Sequence, residues 1–151
     1  MKIIKVSKSS KKNFYSIDDV CIGDTHQFKI KISKIAHNNF KKFTGDKSPI
    51  HTKIRFCKKN GYKKNIGYAF LLTNILSNIF GMHFPGGTEL CLKQVCNFKK
   101  PFYVNDTLNI LLRVIQKNIN AKLITVSIII KNQKKNIIFE GETIFQLILN
   151  E

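Results

Sequence analysis

The chain has 151 residues, 43% of them hydrophobic, which is enough for one globular domain with a real core and too little for two independently stable domains. Its formal net charge is +17, and all but two of its 26 basic residues are Lys. Such a charge favours polyanionic partners such as nucleic acid, a nucleotide-bearing cofactor or an acidic protein, although a Lys-rich composition also simply fills solvated faces. Two Arg and no Trp are poorly suited to reading bases, so the composition argues against nucleic-acid binding.

The sequence predicts neither a secretory leader nor a membrane span. The apolar run at residues 3–6 is too short for a leader. The most apolar segment, residues 67–84, is interrupted by polar side chains that include Thr73, Asn74, Ser77 and Asn78. Four cysteines lack the spacing of a zinc site or a redox dithiol, namely Cys21, Cys57, Cys91 and Cys96. We therefore expect a cytoplasmic protein with reduced thiols, no membrane association and no metal.

The first part of the chain is predicted to contain one strand and one short helix. A basic N-terminal arm, residues 1–13, precedes a single domain over residues 14–151. Polar and apolar residues alternate over residues 27–33, which predicts a half-buried strand. Apolar residues then recur at helical spacing over residues 34–42, which predicts a helix that leads into Thr44-Gly45-Asp46.

The second part is predicted to be a buried helix followed by an antiparallel meander. The polar residues of the segment 66–80 occupy one narrow arc of a helical wheel, and Gly81 is expected to end this helix. A turn at residues 85–87 is followed by four segments that alternate as strands do. The predicted fold class is α+β, with a curved antiparallel sheet wrapped around the long central helix. Such a sheet has an open edge, which favours dimerisation.

The segment from Phe43 to His51 contains the strongest candidate for chemistry. Asp46 and His51 are five residues apart, and Pro49 between them disfavours a continuous helix, so the chain is expected to turn sharply. A turn of this kind brings a carboxylate and an imidazole together. From the residues alone the alternative remains open that Asp46 caps a helix and His51 packs in the core.

The motif Gly45-Asp46-x-x-Pro49-x-His51 resembles the signature Gly-Asp-x-Asn-Pro-x-His of the MaoC-like dehydratases and (R)-specific enoyl-CoA hydratases. The resemblance continues through residues 68–81, through Phe84-Pro85-Gly86 and through residues 98–106, in the right order and with nearly the right gaps. It implies a hot-dog fold and a homodimer whose active sites lie at the interface. The implied substrate is an acyl thioester of coenzyme A or of an acyl carrier protein, and no separate cofactor is implied.

The resemblance also implies a role for each site residue. Asp46 and His51 would be the catalytic pair that holds a water molecule for addition to a trans-2-enoyl thioester, or that expels it from an (R)-3-hydroxyacyl thioester. The N–H of Ala69 would stabilise the enolate, and the side chain of Ser77 would face the site. Three positions depart from the family pattern: Ser48 replaces the usual Asn, Ala69 the usual Gly, and Lys53 a common acidic residue.

Other polar residues receive weaker interpretations. Six basic residues after the motif are candidates for binding the thioester carrier: Lys53, Arg55, Lys58, Lys59, Lys63 and Lys64. Asp24 and Asp106 are expected to stabilise turns, and His26, His37 and His83 to be surface or core residues. The departures at Ser48, Lys53 and Ala69 support an alternative function, a non-catalytic hot-dog module that binds an acyl thioester or stabilises a partner enzyme.

Overall fold

The computed structural model describes residues 4–6, 14–87 and 89–148. The strands are β1 (Ile4–Val6), β2 (Thr25–Lys31), β3 (Glu89–Phe98), β4 (Thr107–Asn118), β5 (Leu123–Asn132) and β6 (Ile137–Leu147). The helices are α1 (Lys34–Thr44), α2 (Pro49–Thr52), α3 (Ile54–Lys59) and α4 (Ala69–Met82). The strands form one antiparallel sheet in the order β1-β2-β4-β5-β6-β3. The predicted α+β class, with an early strand and a long helix before four strands, is confirmed. The predicted four-strand meander is wrong: β4, β5 and β6 are consecutive neighbours, but β3 pairs with β6 at the sheet edge and not with β4. Alternating apolar residues identify strands but do not determine which strands become neighbours.

The core lies between α4 and the concave face of the sheet. Alternate residues of each central strand are buried, because successive side chains of a strand point to opposite faces. Those of β4 and β5 are branched aliphatic residues that face α4: Leu108, Ile110, Leu112, Val114, Ile124, Val126, Ile128 and Ile130. From the helix, Leu72, Leu76 and Ile79 are at most 1% exposed. The Phe80 ring meets that of Phe145 on β6 at 4.8 Å.

The long helix is shifted relative to the prediction at both ends. It begins at Ala69 rather than at Ile66, because Ile66 bridges to Tyr103 and the N–H of Gly67 is bonded to the Phe102 carbonyl. It passes through Gly81 and ends at Met82, so the expected stop at Gly81 is wrong. One glycine costs a helix only about 1 kcal/mol, and the Ile79 and Phe80 carbonyls here accept N–H groups from beyond the helix. Among the described residues, no helix has the length and apolarity to cross a membrane.

The first helix is placed by local capping. The Ser33 hydroxyl accepts a hydrogen bond from the Ala36 N–H at the start of α1. At the other end Gly45 adopts φ 72°, a conformation that glycine tolerates best, and its N–H closes the helix on the Lys41 carbonyl. This cap turns the chain directly into Asp46. Of the predicted N-terminal arm, residues 4–6 form β1 against β2, and residues 1–3 and 7–13 lie outside the described part.

One sheet edge and the outer face of α4 expose apolar side chains. Among the described residues β3 pairs only with β6, so its other side is open. Leu90 and Leu92 on this strand are 48% and 51% exposed, and Phe70 on α4 is 66% exposed. Contiguous exposed apolar side chains at an unpaired edge are typical of an interface.

Candidate active site

The loop after α1 holds the Asp46 carboxylate in a tight turn. Its Oδ1 atom accepts hydrogen bonds from the Ser48 N–H at 2.8 Å and from the Ser48 hydroxyl at 2.5 Å. Pro49 then starts the single helical turn α2, where its fixed φ suits the first helical position. His51 therefore lies on this turn, five residues from the carboxylate, as the sequence predicts.

These contacts lower the pKa of the Asp46 carboxyl group. The hydrogen bond from the Ser48 hydroxyl is the largest cause, followed by the Ser48 N–H, and His51 acts in the same direction when its ring is protonated. Each of these favours the ionised form. Asp46 is therefore a carboxylate over the physiological pH range, with an oxygen available to accept a proton from a neighbouring group.

The His51 imidazole is held in one tautomer by the chain. Its Nδ1 lies 3.0 Å from the Ile66 carbonyl oxygen. A carbonyl can only accept, so Nδ1 carries the proton and Nε2 of the neutral ring keeps a free lone pair. The Nε2 atom is thus suited to accept a hydrogen bond from a water molecule.

Tyr68 joins the two halves of the candidate site. Its hydroxyl donates to the Asp46 carbonyl at 2.8 Å, and its ring lies against that of His51 with the centroids 4.0 Å apart. The side chain is only 2% exposed, and the residue immediately precedes Ala69, the first residue of α4. Burial, followed by the Asp46 charge, raises the pKa of Tyr68, so the hydroxyl remains a donor. One buried side chain therefore fixes the carboxylate loop, the imidazole and the helix N-terminus relative to each other.

The buried thiol of Cys57 on α3 contacts the segment that contains His51. It lies 3.0 Å from the Ile50 carbonyl and 3.6 Å from the Asn65 side-chain oxygen. The Ile50 carbonyl also accepts the Ile66 N–H. Cys57 is thus a free thiol, as predicted, and it stabilises the position of α2.

The remaining predicted site residues lie at different distances from the pair. Ala69 begins α4, so its N–H has no acceptor inside the helix and points out of the positive end. Ser48 contacts the carboxylate directly. Ser77 is exposed more than two turns further along α4, and within the described part of the chain no contact joins it to Asp46 or His51. Asp106 has the expected turn role, since its side chain accepts the Tyr103 N–H.

His37 is a neighbour of the site that the sequence did not reveal. As expected it is buried, only 6% exposed, but its Nε2 lies 3.4 Å from the His51 carbonyl and its ring centroid 4.6 Å from that of Tyr68. Its Nδ1 is buried and has no hydrogen-bond partner in the described structure. Burial is the largest cause that lowers its pKa, and the charges of His51 and Lys41 act in the same direction. A fourteen-residue separation between His37 and His51 matches no motif, so only the fold brings them together.

A cleft of about 330 Å³ opens beside His51. It lies between α1, α2 and the chain before α4, and its walls include His37, His51 and three lysines, Lys34, Lys41 and Lys64. Of the six predicted carrier-binding residues, Lys64 lines this cleft. The other five are exposed along α3 and beside it: Lys53, Arg55, Lys58, Lys59 and Lys63. In the described ranges no three His, Cys, Asp or Glu side chains gather as metal ligands would.

Known proteins with similar sequences are hydratases and dehydratases. The chain is 26% identical over 97 residues to a 3-hydroxybutyryl-CoA dehydratase of Methylorubrum extorquens, a match that covers 64% of this chain and 62% of that protein. It is 24% identical over 108 residues to an (R)-specific enoyl-CoA hydratase of Aeromonas caviae, which covers 72% of this chain and 81% of that one. The match thus spans less than two thirds of the first relative. No protein-family model matches the chain.

The solved structures agree on the fold. An unliganded R-hydratase from Pseudomonas aeruginosa superposes with a TM-score of 0.83 at 20% identity, over 91% of this chain and 88% of that one. The hot-dog fold implied by the motif is therefore confirmed. The names of the relatives also match the family that the sequence resembles.

We predict that Tyr68→Phe weakens the loop without disturbing the core. The Asp46 carbonyl loses its donor while the ring stays, so unfolding free energy should fall by about 1 kcal/mol. Tyr68→Leu also removes ring contacts and should cost more. Urea unfolding measures both, with Tyr15→Phe as control, because within the described residues that hydroxyl makes no hydrogen bond to the chain. Equal losses in Tyr68→Phe and Tyr15→Phe would contradict the prediction.

We predict that Ser48→Ala raises the pKa of Asp46 toward its ordinary value, since the largest of the stabilising contacts is removed. NMR titration of the carboxyl carbon measures it. The folded-state pKa is depressed, so this contribution to stability is present above the unfolded-state pKa and is lost as pH falls through the folded one. Thr52→Val, which removes a loop hydroxyl bonded to the Lys47 and Ser48 carbonyls, should leave the Asp46 titration unchanged.

Proposed function

We propose that this chain, a distant relative of hot-dog hydratases and dehydratases, adds water to trans-2-enoyl thioesters or removes it from (R)-3-hydroxyacyl thioesters. The observation that carries the proposal is the pairing of an ionised Asp46 carboxylate with a His51 imidazole whose Nε2 is free to accept. Both are fastened to Tyr68. A carboxylate and an imidazole so held suit one water molecule between them.

In the proposed hydration, Asp46 and His51 together deliver a hydroxide and a proton from one water molecule to the two carbons of the double bond. Asp46 accepts a proton from the water that His51 orients, and the resulting hydroxide adds to the β-carbon. The electron pair of the double bond moves toward the thioester carbonyl and gives an enolate. A proton from the same pair then reaches the α-carbon, so the atoms of one water are added and the enzyme is unchanged. Dehydration follows the same steps in reverse.

The enolate formed in this step needs a donor. The Ala69 N–H is the proposed one, because it leads the positive end of α4 and directly follows Tyr68. A methyl group in place of the usual glycine hydrogen leaves this N–H intact. The Ser77 side chain is proposed to contact the substrate. Ser77 is exposed on α4, so it would contact a part of the substrate away from Asp46 and His51.

A second copy of the chain is the proposed partner. Along the edge strand β3 the side chains of Leu90, Leu92 and Phe98 are exposed, and the exposed Phe70 ring of α4 lies 6.1 Å from that of Phe98. Exposed apolar side chains at an unpaired edge favour association. Pairing two β3 edges about a two-fold axis would cover them on both chains. The homodimer would also place the outer face of α4, with Ser77, at the interface.

The basic residues along and beside α3 are proposed to recruit the thioester carrier. Lys53 both ends α2 and precedes α3, so this cluster follows the catalytic turn without a break. Its ligand would be the phosphates of coenzyme A or the acidic face of a carrier protein. The reaction moves only water and protons, so we propose no metal or redox cofactor, and a cytoplasmic location where such thioesters occur.

The catalytic pair gives the most direct test. Asp46→Asn removes the base and His51→Ala the second contact to water, so each should lower kcat for crotonyl-CoA by roughly 10²–10⁴-fold. The two losses should not add, because both residues act on one water. Circular dichroism melts check that the variants fold. Variants as fast as the wild type would reject the assignment, and an inactive wild type would favour the binding module.

Association through β3 predicts that Leu92→Asp separates the dimer. A charge at the centre of the paired edge would have to be buried without a partner, which the dimer does not tolerate. Light scattering should show twice the mass of one chain for the wild type and one chain for the variant. Ile119→Asp, at an exposed turn between β4 and β5, is the control. A monomeric wild type at every concentration would end the proposal of a shared site.

For the carrier cluster, the triple variant Lys58→Gln, Lys59→Gln, Lys63→Gln should raise KM for a CoA thioester and leave kcat unchanged. The effect should shrink at high salt, because exposed charges are screened. Lys29→Gln, Lys31→Gln, Lys134→Gln removes the same charge elsewhere and serves as the control. Unchanged kinetics of the first triple variant at low salt would refute recruitment by this cluster.

A further inference from the structure

The cleft beside His51 gathers positive charge that the proposed reaction does not use. Lys34 and Lys41 come from one face of α1, and Lys64 comes from the segment before α4. These lysines lie around an opening that His51 also lines. None belongs to the pair, and only Lys64 falls in the basic cluster that the sequence singles out.

No acidic side chain among the described residues neutralises these lysines. The cleft walls contain Lys, His, Asn, Thr, Ile and Val residues and no carboxylate. Within the described part of the chain none of the three lysines forms an ion pair, and the Lys64 Nζ lies 5.4 Å from the ring centroid of Tyr103. Burial is the largest cause that lowers the pKa of the buried His37, and the charge of Lys41 acts in the same direction.

We propose that this cleft binds an anionic group of the thioester substrate, a carboxylate at the far end of the acyl group. The proposal rests on the proposed function, because it assumes that the acyl group reacts at His51. An uncompensated positive cleft attracts an oxyanion and gains from excluding water around it. Lysine ammonium groups on flexible stems can adjust to either oxygen of a carboxylate.

The anion could be a phosphate of coenzyme A or a carboxylate of the acyl group, and the size of the cleft favours the carboxylate. At about 330 Å³ it is near the lower limit of small-molecule sites. The phosphates of coenzyme A stand at the end of a long pantetheine arm, which would not fit into the same small cleft as the reacting carbon atoms. We therefore assign to the cleft a carboxylate one or two carbons beyond the double bond, which needs less room. The carrier phosphates are left to the exposed cluster on α3.

The test compares matched substrates with and without each anion. Trans-glutaconyl and trans-2-pentenoyl thioesters have five-carbon acyl chains and differ in the terminal carboxylate. Each is prepared on coenzyme A and on N-acetylcysteamine, which lacks phosphate. The wild type should prefer the glutaconyl group on both carriers. The triple variant Lys34→Gln, Lys41→Gln, Lys64→Gln should reduce that preference in kcat/KM by roughly 10-fold. A 10-fold change corresponds to about 1.4 kcal/mol, which a few solvent-accessible ion pairs together can supply.

The control variant Lys29→Gln, Lys31→Gln, Lys134→Gln loses the same charge away from the cleft and should keep the preference. If the cleft variant instead loses the advantage of coenzyme A over N-acetylcysteamine for both acyl groups, the anion is the carrier phosphate and the acyl assignment is overturned. If neither ratio changes, the cleft binds no anion of the substrate and the proposal fails.

A binding measurement separates failure of this proposal from failure of the proposed function. Glutarate and its uncharged diamide are titrated into the wild type while the imidazole NMR signals of His37 and His51 are followed. Glutarate should shift them and the diamide should not, and the cleft variant should lose the response. A wild type that hydrates none of the four thioesters refutes the hydratase, whereas glutarate binding still decides the fate of the cleft.

Discussion

The hydrogen bond from the Tyr68 hydroxyl to the Asp46 carbonyl connects an exposed loop to the buried start of α4. The Tyr68 ring also supports His51 and contacts His37, so three polar groups of the site take their positions from one side chain. Tyr68 is buried in the close-packed core, and its hydrogen bond therefore restrains the exposed loop around Asp46. Function at a loop thus depends on packing behind it.

The fold class and the candidate pair were accessible from the sequence because both rest on short-range patterns. Alternating apolar residues reveal the strands, such as that of residues 124–130, and the spacing of Asp46, Pro49 and His51 lies within one turn. The end of α4 was not accessible, because it depends on carbonyls of Ile79 and Phe80 meeting N–H groups after the helix. A glycine has only a modest local effect and does not by itself end a buried helix.

Contacts between distant segments are what the sequence hides. His37 and Tyr68 resembled ordinary core residues, and nothing in their spacing linked them to His51. The lysines show the same limit, since Lys34 and Lys41 meet Lys64 only when α1 packs near the start of α4. A net charge of +17 indicates attraction to anions in general. The fold gathers part of that charge in a cleft beside His51 and in an exposed cluster along α3.

The buried thiol beneath the loop has a consequence for how its motion can be observed. Cys57 is 0% exposed and points its Sγ at the Ile50 carbonyl, so a thiol reagent cannot reach it while α2 and α3 are in place. Cys21 and Cys91 are exposed and react without such opening. Cys96 on β3 is half-buried against the core and must first be replaced by Ser. The slow phase of alkylation would then report local unfolding of the segment that contains His51, separately from unfolding of the sheet. Cys57 is therefore a native probe for the opening of the candidate site, and no new cysteine has to be introduced for the measurement.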